Sequence, residues 1–168
     1  MAHPLVLALF PTSTAAAAGT RALHGLGISR EQISVVSRNH DEAGALAEQM
    51  DASPGADIED SRPAARLGEL GGLVLAAIAL VMPGIGPIVA AGPMSADLGE
   101  AAGHAAGGVA SVLTHAGLAA ATAASLQQGV ERGLVLIGVH VTTGDRAAVE
   151  EALRASGASR TEAATWPD

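Results

Sequence analysis

The chain has 168 residues, with 17 acidic residues against nine basic ones and a formal net charge of −8 at pH 7. That charge excludes a basic face of the kind that binds nucleic acid or anionic lipid. The absence of Cys excludes disulfides, thiolate nucleophiles and Cys-ligated zinc, and it is typical of a reducing compartment. We therefore expect a one-domain cytoplasmic protein, since the first residues also lack the basic region of a signal peptide.

The first part of the sequence predicts a β-α-β unit. An apolar run over residues 5–10, ended by a proline, is typical of a buried strand. Thr12 or Ser13 can cap a predicted helix over 14–26. The alternating pattern of residues 32–37 predicts a second strand.

The last part of the sequence predicts a second unit of the same kind. Leu and β-branched residues over 134–141 are typical of a buried strand. Turn residues then lead into a predicted helix over 146–155. A final edge strand is expected over 161–166, ahead of Pro167.

A short repeat relates the two units. Its two copies are Ala22-Leu23-x-x-x-Gly27-x-Ser29-Arg30 and Ala152-Leu153-x-x-x-Gly157-x-Ser159-Arg160. The glycine of each copy follows a predicted helix, at the position where a left-handed backbone conformation ends helices. The repeat indicates that both units have the same β-α-β structure.

Two such units in a short chain indicate an α+β fold of the ferredoxin-like type, β-α-β-β-α-β, with both helices on one face of a four-stranded antiparallel sheet. Residues 1–38 and 133–168 supply the two halves. Residues 39–132 form an insert between strands two and three, where the plain fold needs only a hairpin turn. We interpret the chain as one interrupted domain, whose insert begins with a short solvated helix over 39–50 and an acidic linker over 51–63.

The insert contains an uncharged segment over residues 70–96. Residues 71–82 are apolar on every side of a helix, which predicts a helix buried in protein, in a partner or in lipid. Two prolines and two glycines then break that helix and reverse the chain direction, so we expect a helical hairpin. They are Pro83, Gly84, Gly86 and Pro87. A last helix of the insert is predicted over 118–132.

The second arm of the expected hairpin is a helix from an N-cap at Ser95 to about residue 115. Gly99, Gly103 and Gly107 recur along it at four-residue spacing and form a glycine zipper. Such a stripe lets another helix approach closely, which favours helix packing and assembly of a homo-oligomer. The other explanation of this spacing is chance, because Gly and Ala are common throughout the chain.

One face of the same helix carries polar side chains. They are Asp97, Glu100, His104, Ser111 and His115. Glu100 and His104 lie at i and i+4, so one divalent metal ion could bridge them if another helix or chain added ligands. The other interpretation is a polar face in solvent, with no cofactor. His24 and His140 are interpreted as ordinary half-buried or surface residues.

No pattern indicates catalysis. A nucleophile elbow, a zinc-protease histidine pair and a phosphate-binding loop are all absent from the sequence, and its 17 acidic residues single out no catalytic pair. We therefore expect a protein that is not an enzyme.

Four stretches of the sequence are similar to one known family. They are ISVVSR, MPGIGPIVAAGP, QQGVERGLVLIGVHV and ALRASGA, which lie in this order within residues 5–166. The chain resembles the bacterial general-stress or heat-induced stress proteins that carry a glycine-zipper segment. The resemblance implies a stress association and a non-catalytic role, and it transfers no catalytic residue.

The leading hypothesis is a cytoplasmic, stress-associated protein that self-assembles through its helical insert. One alternative is a small-ligand or metal sensor with a site at a subunit interface near Glu100 and His104. Another is a membrane-associated stress protein. A true span is the less favoured form of that alternative, because about 12 straight residues rise only ~18 Å against ~30 Å of hydrocarbon.

Overall fold

A computed structural model of the chain describes residues 2–38, 77–82, 85–102, 108–142 and 144–167. These residues form an α+β structure, which confirms the predicted class. The strands are β1 (His3–Phe10), β2 (Ile33–Arg38), β3 (Ala77–Met82), β4 (Gly86–Ala91), β5 (Val135–His140) and β6 (Arg160–Trp166). The helices are α1 (Ser13–Gly25), α2 (Met94–Ala102), α3 (Val109–His115), α4 (Ala120–Glu131) and α5 (Arg146–Ala155), with a 3-10 turn at Arg30–Gln32.

The six strands lie in one sheet with the order β3-β4-β2-β5-β1-β6, and every neighbouring pair is antiparallel. The two β-α-β units supply four adjacent strands, in the order β2-β5-β1-β6. β1 and β5 pair from Leu5 opposite His140 to Phe10 opposite Val135. The insert therefore lies between β2 and β5, which pair directly, and it adds its own strands β3 and β4 on the other side of β2.

Each face of the sheet has its own hydrophobic core, because the side chains of a strand alternate between faces. β1 supplies three residues to each core: Leu5, Leu7 and Leu9 to one, and Val6, Ala8 and Phe10 to the other. Helices α1 and α5 cover the second core, whereas α2, α3 and α4 cover the first. The two helices of the β-α-β units lie on one face, as predicted, and helices of the insert cover the opposite face.

The two halves follow their sequence predictions closely. Thr12 caps α1, where its side chain accepts a 3.1 Å hydrogen bond from the N–H of Ala15. The observed α5 has the bounds predicted for it. The last helix of the insert, α4, also lies within its predicted range.

The repeated glycines end both helices in the same way. Gly27 has a φ of 84° and Gly157 has a φ of 98°. The residue after each glycine donates a 3.1 Å backbone hydrogen bond to the leucine five residues earlier, Leu23 or Leu153. This bond is the signature of the Schellman motif. The predicted positive φ at both glycines is thus confirmed.

In the described residues, the first arm of the insert ends in a β-strand that forms a hairpin with β4. β3 and β4 pair from Ala77 opposite Ala91 to Met82 opposite Gly86. The helix predicted over 71–82 is therefore wrong for the six residues of β3, and the rest of that prediction lies outside the described residues. A short, fully apolar run suits a buried strand as well as a buried helix, because neither period leaves a polar face.

The second arm is not one continuous helix. α2 begins at Met94, so Ser95 lies inside its first turn. Ser95 is therefore not the N-cap of this helix, although the sequence predicted it to be. The Ser95 hydroxyl donates a 2.7 Å hydrogen bond to the carbonyl of Gly92. α3 begins after Gly108, whose backbone is extended at φ −178° and ψ 171°. An extended residue interrupts a helix, so the predicted helix to about residue 115 was wrong.

A close backbone contact joins the insert to β2. Gly92 follows β4 with a φ of 82°, and a Cβ on it would overlap the carbonyl oxygen of Ile33 and lie 2.7 Å from the Cα of Ser34. Met94 then donates a buried 3.0 Å hydrogen bond from its N–H to the Ser34 hydroxyl. The turn between β4 and α2 is therefore held directly against the backbone of β2.

Candidate functional site

The residues predicted to form the break of the hairpin lie around the turn between β3 and β4. Gly86 opens β4 with a φ of 91°, and Pro87 is the next residue of that strand. Pro83 and Gly84 lie outside the described residues. The chain does reverse its direction here as predicted, but between two strands.

Only one glycine of the predicted zipper lies among the described residues. Gly99 lies in α2 and is half-buried. Gly103 and Gly107 lie outside the described residues. Because Gly108 is extended, α2 and α3 are separate helices. That break lies after the third glycine, so packing through Gly99, Gly103 and Gly107 stays a prediction.

The predicted metal pair is only half described. Glu100 is an exposed residue of α2, and His104 lies outside the described residues. Ser111 and His115 are exposed residues of α3, a different helix, so the single polar face predicted from Asp97 onward does not exist. Within the described part of the chain, no three His, Cys, Asp or Glu side chains lie close enough together to hold a metal ion.

The two edge strands of the sheet differ in chemistry. β6 carries an ion pair of 2.7 Å between Arg160 and Glu162. The N–H of Thr165 donates a 3.2 Å hydrogen bond to the carbonyl of Ala116, so the turn after α3 covers that end of the edge. β3 has the sequence AIALVM, with no polar or charged residue, and within the described ranges it pairs only with β4. Charged side chains and a covering segment normally keep an edge strand from pairing with another chain, and β6 has both.

A cluster of three rings lies at one end of the sheet, on the face covered by α2, α3 and α4. Three adjacent strands position it: His3 begins β1, His140 ends β5 and Trp166 ends β6. The Nε2 atom of His3 lies 2.6 Å from the Nδ1 atom of His140, so one nitrogen donates a hydrogen bond and the other accepts it. The indole of Trp166 packs against His140 with 5.2 Å between ring centroids, at an angle of 75°.

His140 is the buried member of this cluster. It is 9% exposed, and its carbonyl accepts a 2.9 Å hydrogen bond from the side chain of Gln32. Its Nε2 atom is buried and has no hydrogen-bond partner among the described residues. Burial, followed by the neighbouring His3, lowers the pKa of His140 to about 4. The ring is therefore neutral at pH 7.

Sequence reasoning missed this cluster because no spacing encodes it. The two histidines are 137 positions apart along the chain, and only the β1–β5 register brings them together. One signal was available in the sequence. His140 is a titratable residue in an otherwise apolar strand. A polar side chain in such a strand is buried unless it lies at the end of the sheet.

Comparison with known proteins identifies no relative. No family description, no curated protein and no solved structure matches the chain. Within the described residues, no helix combines the length and the apolar character needed to cross a membrane. The stress-protein assignment therefore depends on the sequence stretches quoted above.

Because His140 is buried in its neutral form, we expect the free energy of unfolding to decrease as the pH is lowered. The unfolded ring binds a proton near pH 6.5, whereas the folded ring does so only near pH 4. Between these values the unfolded state holds more protons, so lowering the pH favours unfolding. From pH 7 to pH 4, the free energy of unfolding of the wild type should fall by about 2 kcal/mol more than that of His140→Gln. This value is smaller than the full pKa difference implies, because solvent partly screens the ring. Urea titrations of both proteins across this range measure the difference, and equal pH slopes would contradict the prediction.

Proposed function

We propose that this chain is a non-catalytic, stress-associated protein that self-assembles, and that two copies join through strand β3. The observation that carries the proposal is the uncharged strand AIALVM, which lies at one edge of the sheet that the described residues form. The stress association follows from the family resemblance, and its test is whether the abundance of the protein rises when the source cells are heated.

The proposed body is a ferredoxin-like sandwich. Its support is the strand order β2-β5-β1-β6, with α1 and α5 packed on one face of those strands. The helical segments of the insert then act as a second layer on the other face. The hairpin of β3 and β4 extends this body beyond β2 and places a new strand at the edge.

Edge pairing is a common route to assembly because an outer strand presents a row of N–H and C=O groups that another strand can satisfy. Two identical β3 strands can pair antiparallel about a two-fold axis, which gives a closed dimer. The paired segment contains no charge, so no charged side chain has to be desolvated when the two strands meet. The glycine stripe of the insert is then left for packing within the chain.

Matched lysine substitutions on the two edges test this proposal. Ala79 lies within β3, and Ala163 lies within β6 and is exposed. Ala79→Lys should weaken self-association at least tenfold, about 1.4 kcal/mol, because antiparallel pairing about a two-fold axis brings the two added lysines near each other, and like charges on paired strands repel. Ala163→Lys should leave association unchanged. Light scattering after size exclusion, in detergent-free buffer, reads the mass against the 16.5 kDa monomer.

Thermal melts show whether each lysine variant is folded. A wild-type mass of 16.5 kDa contradicts the proposal, and so does a folded Ala79→Lys that keeps the wild-type mass. Single cysteines provide a second measurement, because the native sequence has none. Paired β3 strands should form a disulfide-linked dimer from at least one cysteine variant within residues 77–82, and failure at all six positions would contradict β3 pairing.

A further inference from the structure

We propose that His3 and His140 form a binding site for a divalent first-row transition-metal ion, with imidazole nitrogens as its protein ligands. The site is separate from the Glu100 and His104 pair predicted from the sequence. It is also independent of self-assembly, because the two rings lie at the end of β1 and β5 and not on the β3 edge.

The sheet prearranges the two ligands. The N–H of Val141 donates a 3.0 Å backbone hydrogen bond to the carbonyl of Pro4, which continues the β1–β5 pairing up to the histidines. The His140 carbonyl is held by Gln32, and the two imidazole centroids lie 4.9 Å apart. Both donor atoms therefore lie close together on paired strands before a metal ion binds. Binding then costs little conformational entropy, because the backbone is already ordered.

The nitrogen atoms face each other with one proton between them. A metal ion between the rings would join Nε2 of His3 to Nδ1 of His140, which are now 2.6 Å apart. The shared hydrogen leaves Nε2 of His3 and one is taken up at Nδ1 of the same ring, so both ligands are neutral imidazoles. Metal–nitrogen bonds of about 2.0–2.1 Å at a tetrahedral angle need a nitrogen–nitrogen separation of roughly 3.3 Å. Small rotations of the two side chains supply the difference.

The unpartnered Nε2 of His140 supports this assignment. When Nδ1 of His140 carries the lone pair, Nε2 carries the hydrogen, and an N–H can then face the indole ring of Trp166 at the observed steep angle. That tautomer directs the lone pair at Nδ1 towards His3. The cluster thus holds a neutral imidazole with its basic nitrogen at the proposed site.

Nitrogen donors select the class of ion. Imidazole suits Cu²⁺, Ni²⁺ and Zn²⁺, whereas Mg²⁺ and Ca²⁺ prefer oxygen ligands. No third His, Cys, Asp or Glu joins the two histidines among the described residues. Water completes the coordination, which makes the site open to a further ligand.

Trp166 provides a direct readout because it is the only Trp in a chain without Tyr. Full-length protein is titrated with CuCl₂, and the fluorescence of Trp166 is followed, because a bound paramagnetic ion next to the indole quenches it. The expected result is saturable quenching at one Cu²⁺ per chain. His140→Gln and His3→Gln should each weaken binding at least tenfold, and His115→Gln, at an exposed histidine, should bind as wild type does.

His140→Gln also separates this site from chelation by the amino terminus together with His3. Binding that persists in a folded His140→Gln overturns the proposal, as does quenching that never saturates or that His115→Gln also abolishes. Electron paramagnetic resonance of the wild-type Cu²⁺ complex gives a test that needs no variant. Hyperfine coupling to two imidazole nitrogens supports the site, and coupling to one or none overturns it.

Discussion

Replacing Gly92 by alanine should lower the free energy of unfolding by about 3 kcal/mol or more. Two causes add at this position. The φ of 82° is costly for any residue with a Cβ, and that Cβ would overlap the carbonyl oxygen of Ile33. The obstacle is backbone of a central region of the sheet, so it cannot rotate away as a side chain would. The chain must instead separate β4 and α2 from β2, which also strains the hydrogen bond between Met94 and Ser34.

Gly27→Ala is the matched control for this prediction. Gly27 has nearly the same φ, 84°, but a Cβ there would have no neighbouring atom within 4 Å. Its substitution should cost only the backbone strain, about 1 kcal/mol. Chemical denaturation of both variants separates the two effects. Equal losses would show that the contact between Gly92 and β2 is not tight, and they would contradict the prediction.

The two halves could be predicted because their signals are local. Thr12 is a capping residue ahead of an alanine-rich helix, and Gly27 and Gly157 are glycines at the positions where helices end. These residues determine helix boundaries through their own backbone and side chains. The apolar strand at residues 5–10 was equally clear, because burial on both faces of the sheet leaves no polar position in it.

The insert was harder to predict because its sequence lacks a local discriminator. Ala and Gly are common in it, so the runs on either side of Pro83 suited helices by composition. The structure makes strands of the flanking residues, because β4 finds a hydrogen-bonding partner in β2 from Val35 opposite Ala91 to Arg38 opposite Ile88. The pairing of β4 with β2 joins residues that are far apart in the sequence, so a local stretch of sequence does not reveal it. Tertiary context therefore decided between two structures that the local pattern allowed.

The same limit applied to the candidate sites. Helical spacing selected Glu100 and His104, which are close in sequence. The ring cluster of His3, His140 and Trp166 depends on the order β5-β1-β6, and strand order follows from the whole fold. A register shift of one residue between β1 and β5 would place the two histidines on opposite faces of the sheet. The apolar alternation that fills both cores therefore also positions the two imidazoles.

Leu126→Ala should lower the free energy of unfolding by roughly 2–5 kcal/mol, because it leaves a cavity in a core shared by the insert and the sheet. Leu126 lies in α4, is 0% exposed, and belongs to the same cluster as Leu7 of β1. Leu26→Ala is the matched control, since Leu26 is 48% exposed and should change stability by less than about 0.5 kcal/mol. Urea denaturation should show one cooperative transition in both variants. A second transition confined to Leu126→Ala would mean that the insert unfolds separately, and that result would contradict a shared core.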